Sequence, residues 1–275
     1  MSFPQAAIAP DNLGYLQQHV YTGSGIVLDT EKHYLLEARL APILREQGLA
    51  SLDDLCALLK ATQPCSLHHR VVEAMTTNET YFFREPAQYQ AIRDGVLPEL
   101  LDLRRASRKL CFWSAASSTG QEAYSLAMML LEMGLGDWNI EILGTDLSEA
   151  VVEKAKSGRY SQLEVNRGLP AALLLKHFRR VGLEWELKDA VRRPVRFHTF
   201  DLRSNMQPLG PFDIVFCRNV LIYFDQPTKR SIVEGIHGSL FRGGHLVVGT
   251  TEAGIPVGDR YERRTIGDTV VYVAR

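Results

Sequence analysis

The first third of the chain carries its apolar residues at helical spacing. Leu35, Leu36, Leu40, Ile43 and Leu44 form one such series, and Leu52, Leu55, Leu58 and Leu59 form another. Ser51 stands where an N-cap belongs, and Gly48 stands where the preceding helix should end. Residues 10 to about 75 therefore read as a small all-helical module. From Lys109 the pattern changes to short apolar runs separated by helical stretches. Strands are expected at 109–116 (KLCFWSAA), 140–146 (IEILGTD), 195–202 (VRFHTFDL), 212–218 (FDIVFCR) and 244–250 (GHLVVGT). Helices are expected at about 119–134, from Ser148, and at about 227–241. The tail 261–274 alternates around Gly267-Asp268, a short hairpin signal. Strands interleaved with helices predict a doubly wound parallel sheet, to which a terminal hairpin adds an antiparallel strand. The stretch 160–196 breaks the alternation. It reads as helix over 160–180 and polar β hairpin over 181–200, either a connecting excursion or a recognition sub-domain.

Length narrows this picture. At roughly 150 residues per domain, 275 residues suit one large domain or a large and a small one. Lys and Arg number 31 against 32 Asp and Glu, so overall charge gives no reason to expect nucleic-acid binding. A local basic face stays open. No apolar run approaches the roughly 20 residues of a membrane span. The start, Met-Ser-Phe-Pro-Gln, lacks a basic segment before an apolar core, so no secretory signal is expected. Cys56, Cys65, Cys111 and Cys217 form no CxxC pair and no zinc spacing. Free thiols in a reducing cytoplasm are the expectation, with Cys111 and Cys217 buried in strands.

Candidate chemistry lies at the expected strand ends. The loop Ala115–Thr119 after the first strand is built of small residues, but only Gly120 is a glycine, so it is not GxGxxG, and no P-loop is present. Asp146 ends the second strand, where a carboxylate can accept from ribose hydroxyls; it suits a helix-capping role equally. Asp201-Leu202 is expected to close the third strand and Arg218-Asn219 the fourth, followed by Tyr223, a polar aromatic just past that edge. All lie on the carboxyl edge, where open α/β sheets bind ligands. Between the two halves runs MTTNETYFFRE (75–85). It lacks the composition of a flexible linker. Two readings stand for it: a packed connector, or a segment folded back over a site with Asn78, Thr80 and Arg84 as donors. On the helical module, Lys32 and Arg39 are seven apart and share a helix face with Arg45 nearby, which fits a docking face or a solvated one. The basic run 104–109 reads as a helix end and a solvated turn.

The segments MTTNETYFFRE, SAASSTGQEAYSLAM, GTDLSE and FDIVFCRNVLIYFD, in this order, resemble the CheR family of chemotaxis receptor methyltransferases. The resemblance runs over nearly the whole chain. It implies a helical N-terminal domain (1–75), a linker contributing to the cofactor site (76–90), and a methyltransferase domain (91–275). That domain would hold a seven-stranded, mostly parallel sheet and a small β sub-domain inserted at about 160–200. It implies transfer of a methyl group from S-adenosyl-L-methionine to glutamate side chains of chemoreceptors, giving methyl esters and S-adenosyl-L-homocysteine, with no metal. The implied partner is the cytoplasmic helical region of a chemoreceptor, with a receptor-tail peptide left open and neither nucleic acid nor membrane insertion. Carried over residue by residue, Asn78, Thr80 and Arg84 would bind the methionine portion of the cofactor. Glu122 would lie near its amino end, Asp146 at the ribose, Asp201 and Leu202 at the adenine, and Arg218 and Asn219 would close the pocket. Arg84 and Tyr223 would be the catalytic pair, as positioners of the substrate carboxylate. A methyltransferase for RNA or small molecules would call for a pronounced basic groove. A non-catalytic binding adaptor would be marked by loss of Arg84 or Tyr223, and both are present.

Overall fold

The computed structural model describes residues 8–28 and 33–275, which divide into two units. The first comprises the chain to Thr77 together with Tyr223–Thr228, and the second comprises Asn78–Ile222 and Lys229–Arg275.

The first unit is built on helices α1 (Pro10–Ser24), α2 (His33–Gln47), α3 (Leu52–Ala61) and α4 (Ser66–Met75). Its core joins Leu16 and Val20 of α1, Leu36, Leu40 and Ile43 of α2, Leu55 and Leu59 of α3, and Val71 and Met75 of α4. Ser51 caps α3 as the spacing predicts: its Oγ accepts from the Asp54 amide, and Asp54 accepts in return from the Ser51 amide. Gly48 ends α2 in the left-handed region, at φ 65°. The segment 223–228 joins this unit through the Val27 amide, which donates to the Tyr223 carbonyl at 2.9 Å, and through Tyr21 Oη, 2.7 Å from Asp225 Oδ2. The expected basic face changes here. Lys32 lies outside the described residues. The Arg39 guanidinium is spent on the end of α4, donating to the carbonyls of Met75 and Thr76 and to Thr77 Oγ1 at 2.6, 2.9 and 2.8 Å.

The second unit opens with α5 (Pro86–Ala91), a π-helical turn and α6 (Leu97–Leu103). There follow β1 (Lys109–Ala115), α7 (Gln121–Glu132), β2 (Asn139–Asp146) and α8 (Glu149–Ser157). An insertion comes next: β3 (Arg159–Ser161), α9 (Gln162–Asn166), α10 (Ala171–His177), β4 (Phe178–Val181), β5 (Glu184–Leu187) and α11 (Asp189–Arg192). The main fold resumes with β6 (Val195–Thr199), β7 (Phe212–Cys217), α12 (Gln226–Gly238), β8 (Leu240–Val248), β9 (Tyr261–Ile266) and β10 (Thr269–Ala274). The large sheet has the order β6-β2-β1-β7-β8-β10-β9. Its first five strands are parallel, and β10 runs antiparallel to both β8 and β9. This is the expected doubly wound sheet with its terminal hairpin, which turns at Gly267, φ 56°. The small sheet, β3-β5-β4, is antiparallel.

Two expectations fail in detail. Residues 160–180 are not one helix, because Gly168 (φ 80°) and the extended Pro170 part α9 from α10. The hairpin starts earlier than expected and turns at Gly182 (φ 60°). The basic run 104–109 is the helix end and solvated turn expected, with residues 105–109 exposed and Arg104 alone half-buried. Arg104 Nε donates to Asp213 Oδ1 at 2.9 Å, while Asp213 Oδ2 accepts from the Cys111 amide at 2.8 Å. Asp213 is 1% exposed, so this pair binds the end of α6 to the amino ends of β1 and β7. Cys111 and Cys217 are buried free thiols, as expected. Among the described residues no helix is long and apolar enough to cross a membrane.

His245 lies inside β8, buried, with neither ring nitrogen hydrogen-bonded. Burial lowers its pKa to about 4, helped by Arg264 of β9 and opposed by Glu99 of α6 and Asp213 of β7. The unfolded chain takes up this proton at about pH 6.5, so His245 favours folding above that pH and loses stability as pH falls toward 4. Between pH 7 and pH 5 the loss is about 2 kcal/mol. Urea unfolding should show the wild-type chain losing about that much more than His245→Leu over this interval. Equal losses in both proteins would show that His245 does not titrate in this way.

Candidate cofactor and methyl-transfer site

All the residues below belong to the second unit unless stated. The carboxyl ends of β1, β2 and β7 open onto three short segments: the loop 116–120, Ser148 at the head of α8, and Arg218-Asn219. Asp146, the last residue of β2, holds the first two together. Its Oδ2 accepts from the Ser118 amide at 2.8 Å and its Oδ1 from the Ser148 amide at 3.1 Å. The N-cap of α8 is Ser148 rather than Asp146, whose carboxylate instead ties the backbone of the first loop to the head of that helix.

The segment from Asn78 to Glu85 does not lie free. The Asn78 carbonyl accepts from Ser118 Oγ at 2.9 Å, and the Phe83 amide donates to Ser125 Oγ of α7 at 2.9 Å. The Arg84 carbonyl accepts from Arg218 Nη2 at 2.5 Å. Glu85 Oε1 accepts from Asn219 Nδ2 at 3.0 Å, and its Oε2 accepts from the Thr250 amide and hydroxyl at 2.9 and 2.7 Å. The segment is packed rather than free: four of its residues are tied to the first loop, α7, and the ends of β7 and β8, while Asn78 and Arg84 take part through carbonyls that accept, not as the expected donors.

Arg218 is the hub. Its side chain is 1% exposed, and its Nη1 donates to Glu122 Oε2 at 2.8 Å. Glu122 Oε1 accepts from Ser114 Oγ of β1 at 2.7 Å. Glu85 lies 3.5 Å from Nη2, and Tyr89 offers its ring face 5.6 Å from the guanidinium carbon. Burial pushes the Glu122 carboxyl above its ordinary value, against the pull of Arg218. Burial acts the same way on Glu85, but the bonds from Asn219 and Thr250 and the charge of Arg218 win, so its pKa is lowered. A third carboxylate, Glu252, is 2% exposed and accepts from the amides of Asn219, Gly249 and Ile222 at 2.7, 2.9 and 3.1 Å. It fixes the turn after β7.

The backbone here is strained. Among the described residues, six non-glycine residues have positive φ, and five of them are Phe83, Glu85, Ala116, Ser118 and Asn219. Each such conformation costs about 1–3 kcal/mol and is held by surrounding bonds; clusters of them mark functional sites.

The other candidates are placed less centrally. Asp201 lies two residues past the end of β6 and is clamped by Arg203, whose Nε and Nη2 donate to it at 3.0 and 2.6 Å. Leu202 is buried. Thr80 is half-exposed, and Arg84 Nη1 donates to the Glu79 carbonyl at 2.7 Å. Tyr223 belongs to the first unit, grouped there with Phe224 and Asp225. Nothing in the spacing of the chain pointed to Glu85 or Glu252. Ser114 was only part of a strand, and Ser118 only one small residue of a loop. Among the described residues no group of three or more His, Cys, Asp or Glu could hold a metal ion.

What these elements can hold chemically is a polar ligand: they offer a carboxylate at a strand end, a small-residue loop, and a linker packed against that loop. Comparison with known proteins names such a ligand. Residues 11–76 match the model of the CheR methyltransferase all-alpha domain, and residues 78–266 match that of the CheR methyltransferase SAM binding domain. Chemotaxis protein methyltransferase 1 of Pseudomonas aeruginosa is 40% identical over 257 residues, covering 91% of this chain and 93% of that protein. Chemotaxis protein methyltransferase Cher2 of Pseudomonas putida is 37% identical over 274 residues, covering 96% and 98%. The chemotaxis protein methyltransferase of Vibrio parahaemolyticus is 37% identical over 254 residues, covering 90% and 91%. With both family models matched in order along nearly its full length, the chain belongs to the CheR family of methyltransferases and carries that family's S-adenosylmethionine-binding domain.

Proposed function

We propose that this methyltransferase esterifies glutamate side chains on the cytoplasmic helical region of a chemoreceptor, within the cytoplasm. The observation that carries the reading is the linker, pinned through Arg218, Glu85 and Ser118 across the carboxyl edge of the sheet. The residues present fit S-adenosylmethionine. Asp146 would stand at the ribose, and Asp201 with Leu202 at the adenine. Asn78, Thr80 and Arg84 would hold the methionine portion. Glu122 would lie near its amino end, its carboxylate already accepting from Ser114 and Arg218. Arg218 and Asn219 serve the pocket by holding the linker closed, through the Arg84 carbonyl and Glu85. When bound, the cofactor supplies a methyl group made electrophilic by its sulfonium.

The receptor glutamate needs little activation. Its carboxylate, with an ordinary pKa of about 4.3, is already ionised and nucleophilic at neutral pH. The protein's task is to hold it in line and exclude water, and such positioning lowers a barrier by several kcal/mol. Opposite charges are lost as the ester forms, so a strongly polar site would favour the ground state. Arg84 and Tyr223 accordingly act as positioners of the carboxylate, and no general base is required.

Incubation with methyl-labelled S-adenosylmethionine and membranes holding chemoreceptors should give protein-bound label that mild base releases as methanol. Label that resists base would contradict ester formation. Two further outcomes separate the roles. Asp146→Asn should weaken S-adenosylhomocysteine binding in calorimetry by about 1.5–3 kcal/mol, the value of a charge-assisted bond; unchanged affinity would remove Asp146 from the ribose site. Arg84→Ala should lower both cofactor affinity and turnover. Tyr223→Phe should keep affinity and lower the rate at saturating cofactor about tenfold, equal to about 1.4 kcal/mol. Normal turnover in Tyr223→Phe would leave its hydroxyl without a part in transfer.

A further inference from the structure

The insertion between α8 and β6 meets the linker at Glu79, Tyr81 and Phe82. Phe82 is fully buried and sets its ring edge-on against Tyr160 of β3 and Phe178 of β4, with centroids at 5.0 and 5.7 Å. Gly168, between α9 and α10, lies so close that a Cβ there would stand 2.1 Å from the Phe82 carbonyl oxygen and 2.9 Å from Tyr81 Cδ2. Arg167 forms an ion pair with Glu79, and its guanidinium carbon lies 4.4 Å from the Tyr81 ring centroid. The Arg84 guanidinium carbon lies 5.8 Å from that same ring, and Arg84 Nη1 donates to the carbonyl of Glu79 at 2.7 Å. Arg167 thus holds the side chain of the residue whose carbonyl holds Arg84, and both guanidiniums approach the Tyr81 ring.

We infer that the inserted sub-domain is a working part of the transfer site, with Arg167 and Gly168 acting as positioning residues that set where the linker carries Arg84. The inference rests on the reading of Arg84 as a residue that touches cofactor and substrate. Exposure supports a positioning role over a stabilising one. The Arg167 and Glu79 side chains are 53% and 56% exposed, and a pair so wet adds little to stability. What it does add is direction, because the planar Arg167 group meets a carboxylate and a ring at once. Gly168 supplies the close approach: its φ of 80° and its contact with the Phe82 carbonyl leave no room for a side chain. The sub-domain is therefore more than a connecting excursion. Whatever shifts α9 and α10 shifts the Glu79–Arg84 turn with them.

The test is a double-mutant cycle on the full-length chain. Arg167→Ala should leave the thermal midpoint unchanged, lower turnover about tenfold in the manner of a misplaced catalytic group, and speed amide exchange over residues 79–84. In an Arg84→Ala background the same change should cost no further turnover, since Arg167 acts through Arg84. The charge swap Glu79→Arg with Arg167→Glu should restore much of what each single change loses. Equal losses in both backgrounds, or unchanged linker exchange in Arg167→Ala, would overturn the proposal. The methyl-ester assay separates this from the underlying function: a wild-type chain that makes no base-labile ester refutes the glutamate reading. Faster linker exchange and weaker S-adenosylhomocysteine binding in Arg167→Ala would still uphold the clasp.

Discussion

A buried guanidinium organises this molecule's functional edge. Arg218 emerges from β7 into a region without solvent, where an unpaired cation would be untenable, and it meets that demand with Glu122 from α7 and Glu85 from the linker. Stripping such a group of one partner costs about 3–5 kcal/mol. The consequence is architectural. To satisfy Arg218, the linker must bring the Arg84 carbonyl and the Glu85 carboxylate over the ends of the parallel strands. The strained backbone at Phe83, Glu85 and Asn219 is held in place by that same set of bonds.

The rest of the site follows from this closure. Once the linker is fixed, Ser118 can tie the first loop to Asn78, and Asp146 can tie that loop to the head of α8. The sheet supplies the rigid carboxyl edge, and the linker supplies a wall across it. The inserted sub-domain meets the linker through Phe82, packed on Tyr160 and Phe178, and through Arg167, paired with Glu79.

Much of this was legible in the sequence where local periodicity decides structure. The helical spacing of the Leu series, the Ser51 cap and the Gly267-Asp268 hairpin all appear as read. The strand over 195–202 ends too late because Phe200 and Leu202 extend the apolar content of the run, while the strand itself stops at Thr199. The insertion was misread for a different reason. Its helical composition outweighed Gly168-Leu169-Pro170, a break that also serves the approach to Phe82. At the site, the odd composition of 75–85 signalled a segment with work to do. Its partners were hidden, because Glu85 meets Asn219 and Thr250, 134 and 165 positions away, and Glu252 meets Asn219 and Ile222, 33 and 30 positions away. Nothing in the local pattern distinguishes them from solvated carboxylates.

The central claim is that the linker and the first loop together form the cofactor site, held by Arg218. Hydrogen–deuterium exchange of the full-length chain with and without S-adenosylhomocysteine tests it directly. The account predicts added protection at residues 78–84 and 116–119 together. Protection at the strand ends alone, with the linker exchanging as in the free protein, would contradict it.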